Sequence, residues 1–250
     1  MRDRVPDETI LELKDASFLA QGKQIVQGVS IPFEKGRTTA LVGPSGGGKS
    51  TVLKLVAGLL IPTSGSALYR GEDISLMTRT RNLAFRKNAG FVFQDSALWA
   101  NQSIRQILEL PLKLHYPRME AKQRTERIVT TLAGVGYRKD LDIRPAQLSM
   151  GEQKLIAFAR ATLCDPGILF LDEWTESLDD AAARRLVGIV KKKQEDGTTI
   201  VFVSHNFKII RELAQRICMI VDGELSLEIS GEAFAADEGL ARMIERGIAQ

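Results

Sequence analysis

The chain is poor in the features that mark secreted, membrane-spanning or nucleic-acid-binding proteins. Only two cysteines, Cys164 and Cys218, occur in 250 residues, and both lie in apolar segments. That excludes a disulfide framework and fits buried free thiols in a reducing compartment. No apolar stretch approaches the ~20 residues needed to cross a bilayer. Met1-Arg2-Asp3-Arg4 is charged and is not followed by an apolar run, so no secretory signal is expected. Any membrane role is therefore expected to come through a partner. Charge of one sign is scarce too, with a formal net charge of +3. The one dense basic run, Lys191-Lys192-Lys193, sits in a helical pattern ending at Glu195-Asp196, which reads as a solvated face rather than a nucleic-acid footprint. Repeats, low-complexity tracts and long linkers are lacking. What remains, 44% apolar and 26% charged residues, is the composition of a globular protein with a sizeable core.

Hydrophobic periodicity gives the organisation. Ile10, Leu11 and Leu13, then Ile25, Val26, Val29, Ile31 and Phe33, alternate around turn signals at Gln21-Gly22-Lys23 and Lys35-Gly36, predicting antiparallel strands. Thr39-Ala40-Leu41-Val42 is a short apolar run that enters a glycine loop, and residues 49–60 read as a buried helix. Ser66-Ala67-Leu68-Tyr69 and Phe91-Val92-Phe93 read as further strands. Between Ser96 and Gln147 helical patterns dominate, punctuated by Pro111, Pro117 and Gly134. Alternation then resumes: a strand at Ile168-Leu169-Phe170-Leu171, a helix over 181–194, a strand over 199–203 and a helix over 207–214. A hairpin follows about Asp222-Gly223. Buried strands alternating with helices imply an α/β fold with a mainly parallel sheet. The expected division is a phosphate-loop core with an antiparallel β subdomain over 1–94 and 150–230, and a helical subdomain over 95–149. A short C-terminal helix over 231–250, carrying Leu240, Met243, Ile244 and Ile248, completes it.

Two clusters carry chemistry on their own residues. Gly43-Pro44-Ser45-Gly46-Gly47-Gly48-Lys49-Ser50 fits the phosphate-loop pattern throughout, and Thr51 belongs to the same nucleotide-binding run. Glycines let backbone N–H groups turn inward as a nest for phosphate oxygens, and the following helix adds its positive end. Lys49 supplies a mobile charge for the β- and γ-phosphates of ATP, and the Ser50 hydroxyl suits Mg2+. Asp172-Glu173 follows a four-residue apolar strand, so its carboxylates stand at the strand edge where parallel sheets bind ligands. Asp172 is the candidate Mg2+ partner and Glu173 the candidate general base for the attacking water.

With these on the page, the chain resembles the nucleotide-binding subunits of ATP-binding cassette transporters over nearly its whole length. Leu148-Ser149-Met150-Gly151-Glu152 is similar to the family's signature, and Ile156-Ala157-Phe158-Ala159-Arg160-Ala161 to the helix after it. The resemblance implies a head-to-tail homodimer in which Ser149 and the Gly151 amide of one copy close over the γ-phosphate held by the other. Ser149-x-x-Glu152 is also a capping box, and the two readings are compatible. Gln94 resembles the family's glutamine-loop residue, which reaches Mg2+ and water. His205 resembles the histidine that contacts the γ-phosphate; His115 has no such support and reads as a surface helix residue. Transmembrane permease subunits, a peripheral position on the cytoplasmic face of the inner membrane, and no nucleic-acid partner are further implications. Phe93-Gln94-Asp95-Ser96-Ala97-Leu98-Trp99, Ile107-Leu108-Glu109-Leu110-Pro111-Leu112 and the preceding Met77-Thr78-Arg79-Thr80-Arg81 are similar to the ATPases of Mla/Mce-type lipid transport, which implies an Mce-domain substrate-binding partner; methionine and lipoprotein-export ATPases share part of this pattern. Trp99 reads equally as packing or as a permease contact.

The chain departs from the family pattern at several points. Ala20 stands where an aromatic stacks on adenine, with Phe18 turned to the other face. Met150 replaces a glycine, Trp174 a proline, and Asn206 an aspartate. Glu176-Ser177-Leu178-Asp179 alters a loop that crosses the family's dimer, so Met150 and Glu176 are expected to crowd that interface and slow the isolated subunit. The competing classes are a non-transport cassette ATPase of DNA repair, chromosome organisation or translation, and a weakly hydrolysing nucleotide-binding regulator. Long coiled coils, zinc insertions and a second cassette, which mark the first of these, are missing. The Glu173→Gln variant is expected to bind Mg-ATP, to lose turnover by roughly 10²–10⁴-fold, as removal of a general base does, and to accumulate as a closed dimer. Nucleotide binding, phosphate release and size-exclusion chromatography measured together check this.

Overall fold

The computed structural model describes residues 8–237 and Gly239, so the expected apolar face of the C-terminal helix and the charged first residues lie outside the described residues. The chain opens with β1 (Thr9–Ala20) and β2 (Lys23–Glu34), paired antiparallel. Gln21 and Gly22 turn between them, both at positive φ (49° and 75°). Next come β3 (Thr38–Val42), α1 (Lys49–Val56), β4 (Ser64–Tyr69), the two-residue β5 (Glu72–Asp73) and α2 (Arg79–Asn88). β6 (Ala89–Val92), α3 (Ile104–His115), α4 (Ala121–Val135), α5 (Met150–Thr162) and β7 (Ile168–Asp172) follow. The chain ends with α6 (Asp180–Glu195), β8 (Thr199–Val203), α7 (Phe207–Leu213), β9 (Arg216–Val221), β10 (Glu224–Ser230) and α8 (Gly231–Ala236).

Two sheets result. The four-stranded one has the order β2-β1-β4-β5 and is antiparallel. The six-stranded one has the order β10-β9-β3-β8-β7-β6, parallel except for its β10 edge. The α/β architecture with an antiparallel N-terminal sheet is thus the one the periodicity implies. α2 is the element that periodicity does not reveal. Its only buried residue is Phe85, so it shows no apolar stripe, and its start is marked only by Thr78, whose hydroxyl accepts from the Arg81 amide at 3.4 Å.

The period-two alternation of β7 explains the layering. Leu169 and Leu171 face one core, shared with Ile107, Leu132, Phe158 and Leu186 from α3, α4, α5 and α6. Ile168 and Phe170 face the other, shared with Val52 and Leu53 of α1 and with Leu11, Ile31 and Phe33 of the antiparallel sheet. The helices of residues 95–149 therefore bury their apolar faces in the same core as the sheet. α5 is the joint, packing on α3 and α4 and on the edge strand β6.

Trp174, where the family pattern has proline, is fully buried in the first core with its ring 5.9 Å from that of Phe158. Its indole N–H finds no acceptor. Trp174→Ala is expected to lower the free energy of unfolding by about 3–5 kcal/mol, the cost of an aromatic cavity. Trp174→Phe should cost less than half as much, because losing an unpartnered buried donor returns ~1–3 kcal/mol. Urea denaturation of both variants checks the order.

Candidate functional site

The phosphate loop takes its shape from close backbone contacts. Gly43 has φ 140°, and a Cβ there would lie 2.0 Å from the Ile220 carbonyl oxygen of β9. Gly48 has φ 96°, and a Cβ there would lie 2.8 Å from the Ile25 carbonyl oxygen of β2. The Gly223 amide donates to the Gly47 carbonyl at 3.0 Å, and the Gln27 amide to the Gly223 carbonyl at 2.9 Å. The Asp222-Gly223 turn, with both residues at positive φ (49° and 82°) as a two-residue hairpin requires, is thus a floor under the loop. Sequence reading finds the turn but misses that contact, for which no local signal exists.

α1 begins at the loop, and its first amides, those of Lys49, Ser50 and Thr51, have no acceptor within the helix. They are the cradle that a chain of phosphates fits. The Lys49 ammonium donates to the Gly43 carbonyl at 2.9 Å and the Pro44 carbonyl at 2.7 Å. Its burial lowers its pKa, opposed by the Glu173 and Asp172 charges. A cavity of about 310 Å3 joins the loop to side chains distant in sequence: Ser45, Lys49, Gln94, Glu173 and His205 line it, with Ile25 on its wall.

The carboxylates differ by environment. Asp172 ends β7, is buried, and accepts from the Ser50 hydroxyl at 2.8 Å. A hydroxyl and a carboxylate meeting from two elements are the oxygen donors a hard divalent cation takes. Among the described residues no group of three His, Cys, Asp or Glu side chains could hold a metal. Burial raises the Asp172 pKa, countered first by the Ser50 hydrogen bond. Glu173 has φ 41° and its amide donates to the Val203 carbonyl at 3.2 Å. Burial pushes its carboxyl up to about 7, with the neighbouring Asp172 and Glu176 charges adding to the rise. The His205 amide donates to Glu173 Oε2 at 3.3 Å. His205 Nε2 also lies 3.3 Å from Oε1, but without the alignment of a hydrogen bond, which leaves Oε1 unpartnered. Burial and the Lys49 charge lower the His205 pKa.

Ser149 and Gly151 are not brought to this cavity. Ser149 is the N-cap of α5: its hydroxyl accepts from the Glu152 amide at 3.2 Å, and Glu152 Oε2 accepts from the Ser149 amide at 3.0 Å. Both Ser149 and Met150 are exposed, and neither lines the cavity at the chain's own phosphate loop. A Cβ on Gly151 would lie 2.9 Å from the Ser177 carbonyl. Glu176 is exposed and accepts from Gln94 Nε2 within its own chain at 3.2 Å. That contact and the hold of Lys154 on the Phe93 and Gln94 carbonyls have no sequence signal. Phe18 packs on the core while Ala20 is half-buried. Ile25 and Val203 are the apolar residues of the phosphate cavity. His115, read as a surface residue, is half-buried with its Nδ1 unpartnered, and burial lowers its pKa.

Residues 26–176 match the family described as ABC transporter. Over 233 residues the chain is 30% identical to the nickel import ATP-binding protein NikE of Escherichia coli (strain K12), covering 91% of this chain and 87% of that protein. NikE of Shigella flexneri serotype 5b (strain 8401) matches over the same length with the same identity. Among solved structures, the ATP-binding cassette MJ0796, in a dimeric post-hydrolysis state bound to ADP and Pi, superposes with a TM-score of 0.82 at 28% identity. The alignment covers 88% of this chain and 98% of that one. An ATP-binding subunit of an ABC transporter shares the fold at 20% identity, with a TM-score of 0.82 over 97% of this chain and 100% of that one. The named relatives are nickel import proteins, and they give no support to a lipid-transport assignment.

The raised Glu173 pKa sets a pH dependence. Glu173 acting as a general base would have to be ionised, so activity would then require pH above its pKa; below about 7 the carboxyl of the free protein holds its proton. The ratio kcat/KM, which reports the free enzyme, should therefore fall with one-proton dependence as pH drops through that value. A profile flat down to pH 5 would remove Glu173 from the role.

Proposed function

Because the chain belongs to the ABC transporter family, as an ATP-binding subunit that hydrolyses ATP, we propose that two copies form a head-to-tail sandwich driving permease subunits. The arrangement carrying this reading is the separation of the parts. Lys49, Gln94, Glu173 and His205 share one cavity, whereas the capped start of α5 lies outside it and exposed. A second copy is what places Ser149 and Gly151 over the phosphates of the first.

In that assembly the amides of residues 46–51 and the Lys49 ammonium hold the β- and γ-phosphates. Ser50, Asp172 and Gln94 hold Mg2+, which neutralises charge on the phosphate oxygens when bound. Glu173 takes the proton of the attacking water, its raised pKa matching the working pH. His205, tied to Glu173 through its backbone amide, presents its ring to the γ-phosphate. The start of the partner's α5 adds its positive end to the developing charge.

No helix of the described residues is long and apolar enough to cross a membrane. In the proposed assembly the subunit works peripherally, on the cytoplasmic face of the inner membrane, through its permeases. The finer reading, lipid transport of Mla/Mce type with an Mce-domain partner, rests only on the Met77–Arg81, Phe93–Trp99 and Ile107–Leu112 sequence runs. Purifying the assembled complex separates the cargo classes. Phospholipid carried through purification and found by mass spectrometry supports it; nickel-stimulated turnover of the complex supports the cargo printed for the relatives.

Mixing two inactive variants tests the composite site. Lys49→Ala removes the phosphate charge of a copy's own site, and Ser149→Arg blocks the site of its twin. Each alone should be inactive, while the mixture regains turnover because heterodimers contain one intact site. A mixture as inactive as its components contradicts the head-to-tail arrangement.

A further inference from the structure

Gln94 lines two cavities. One is the phosphate cavity; the other is a groove of about 630 Å3 between the segment after β6 and the start of α5, lined also by Met150, Lys154 and Glu176. Its amide nitrogen donates to Glu176 Oε2 at 3.2 Å, and Glu176 lines the groove but not the phosphate cavity. A carboxylate only accepts hydrogen bonds, so it takes the NH2 end of a primary amide and never the carbonyl end. Gln94 is also fixed at its backbone, where the buried Lys154 ammonium donates to the Phe93 and Gln94 carbonyls.

Glu176 is held firmly enough to act as a reference point. Its amide donates to the Glu173 carbonyl at 3.1 Å, and the Leu178 amide to the Thr175 carbonyl at 3.3 Å. Asp179 then caps α6, accepting from the Ala182 amide at 2.8 Å. The Ser177 carbonyl rests against Gly151, where a Cβ would come within 2.9 Å.

We propose that Glu176 is a positioning residue for ATP hydrolysis: by accepting from the Gln94 amide on the groove side, it fixes which end of that amide is left for the phosphate side, the carbonyl oxygen. This deepens the reading of Gln94 as an Mg2+ ligand and rests on it, since a hard cation takes the oxygen and not the NH2 group. It also gives a role to a charged residue at a position where the family pattern has none.

The test uses the full chain with Glu176→Ala, Glu176→Gln, Gln94→Ala and the Glu176→Ala/Gln94→Ala double variant. Mn2+ binding in the presence of a non-hydrolysable ATP analogue, followed by electron paramagnetic resonance, is measured beside kcat and the KM for ATP. Glu176→Ala should weaken Mn2+ binding and lower kcat by about tenfold, the lower end of the scale of a hydrogen bond to a charged group because this one is exposed, with KM for ATP nearly unchanged. Glu176→Gln should keep most of both, because its own amide oxygen accepts the same bond. On the Gln94→Ala background, Glu176→Ala should add nothing. Unchanged or increased kcat in Glu176→Ala, or an independent effect in the double variant, overturns the proposal. If Gln94→Ala alone leaves Mn2+ binding and kcat untouched, the metal role of Gln94 falls, and this inference with it. If Gln94→Ala lowers both and Glu176→Ala neither, only the positioning role fails.

Discussion

The site depends on backbone meeting backbone at the phosphate loop. Gly43 sits so close to the Ile220 carbonyl, and Gly48 to the Ile25 carbonyl, that no side-chain carbon fits at either position. Those contacts come from two different sheets, β9 in the parallel one and β2 in the antiparallel one. The loop is therefore the place where the two sheets lock together, and its curvature is set by both. Ligand affinity and the docking of the antiparallel sheet are the same structural fact, because any change that separates the sheets also opens the nest of amides.

Local order in the sequence made much of this legible. The loop, the β7 carboxylates, the capping box at Ser149 and the Asp222-Gly223 turn each obey rules that act over a few residues, and each is found where those rules place it. The central strands β3, β8 and β7 of the six-stranded sheet followed from apolar runs of four or five residues, buried on both faces. α2 was hidden because a helix with one buried residue has no stripe to read. The contact of Glu176 with Gln94 left no trace because the two lie 82 positions apart, beyond any periodicity. The floor under the phosphate loop was missed for the same reason: Gly223 meets Gly47 across most of the chain.

Electrostatics divide the two adjacent carboxylates between two tasks. Asp172 is satisfied by the Ser50 hydroxyl, whereas one oxygen of Glu173 has no hydrogen-bond donor and its carboxyl is pushed up to about 7. An acceptor left unsatisfied in a buried place is costly, and its persistence next to Lys49 and His205 fits a group meant to receive a proton rather than to stabilise the fold. The positive φ of Glu173 is part of the same arrangement. The next residue, Trp174, is fully buried, so the chain passes from the cavity wall into the core within one residue.

α5 grips the segment after β6 twice. Lys154 holds the Phe93 and Gln94 carbonyls, and six residues along the helix Arg160 holds those of Ser96 and Ala97. Ser96 and Ala97 are both in the left-handed region, at φ 64° and 44°, a shape that two non-glycine residues keep only when clamped. Lys154 and Arg160 act as two rivets on one plate. The Ser96–Ala97 corner is thus fastened near the far end of the same helix whose capped start is Ser149.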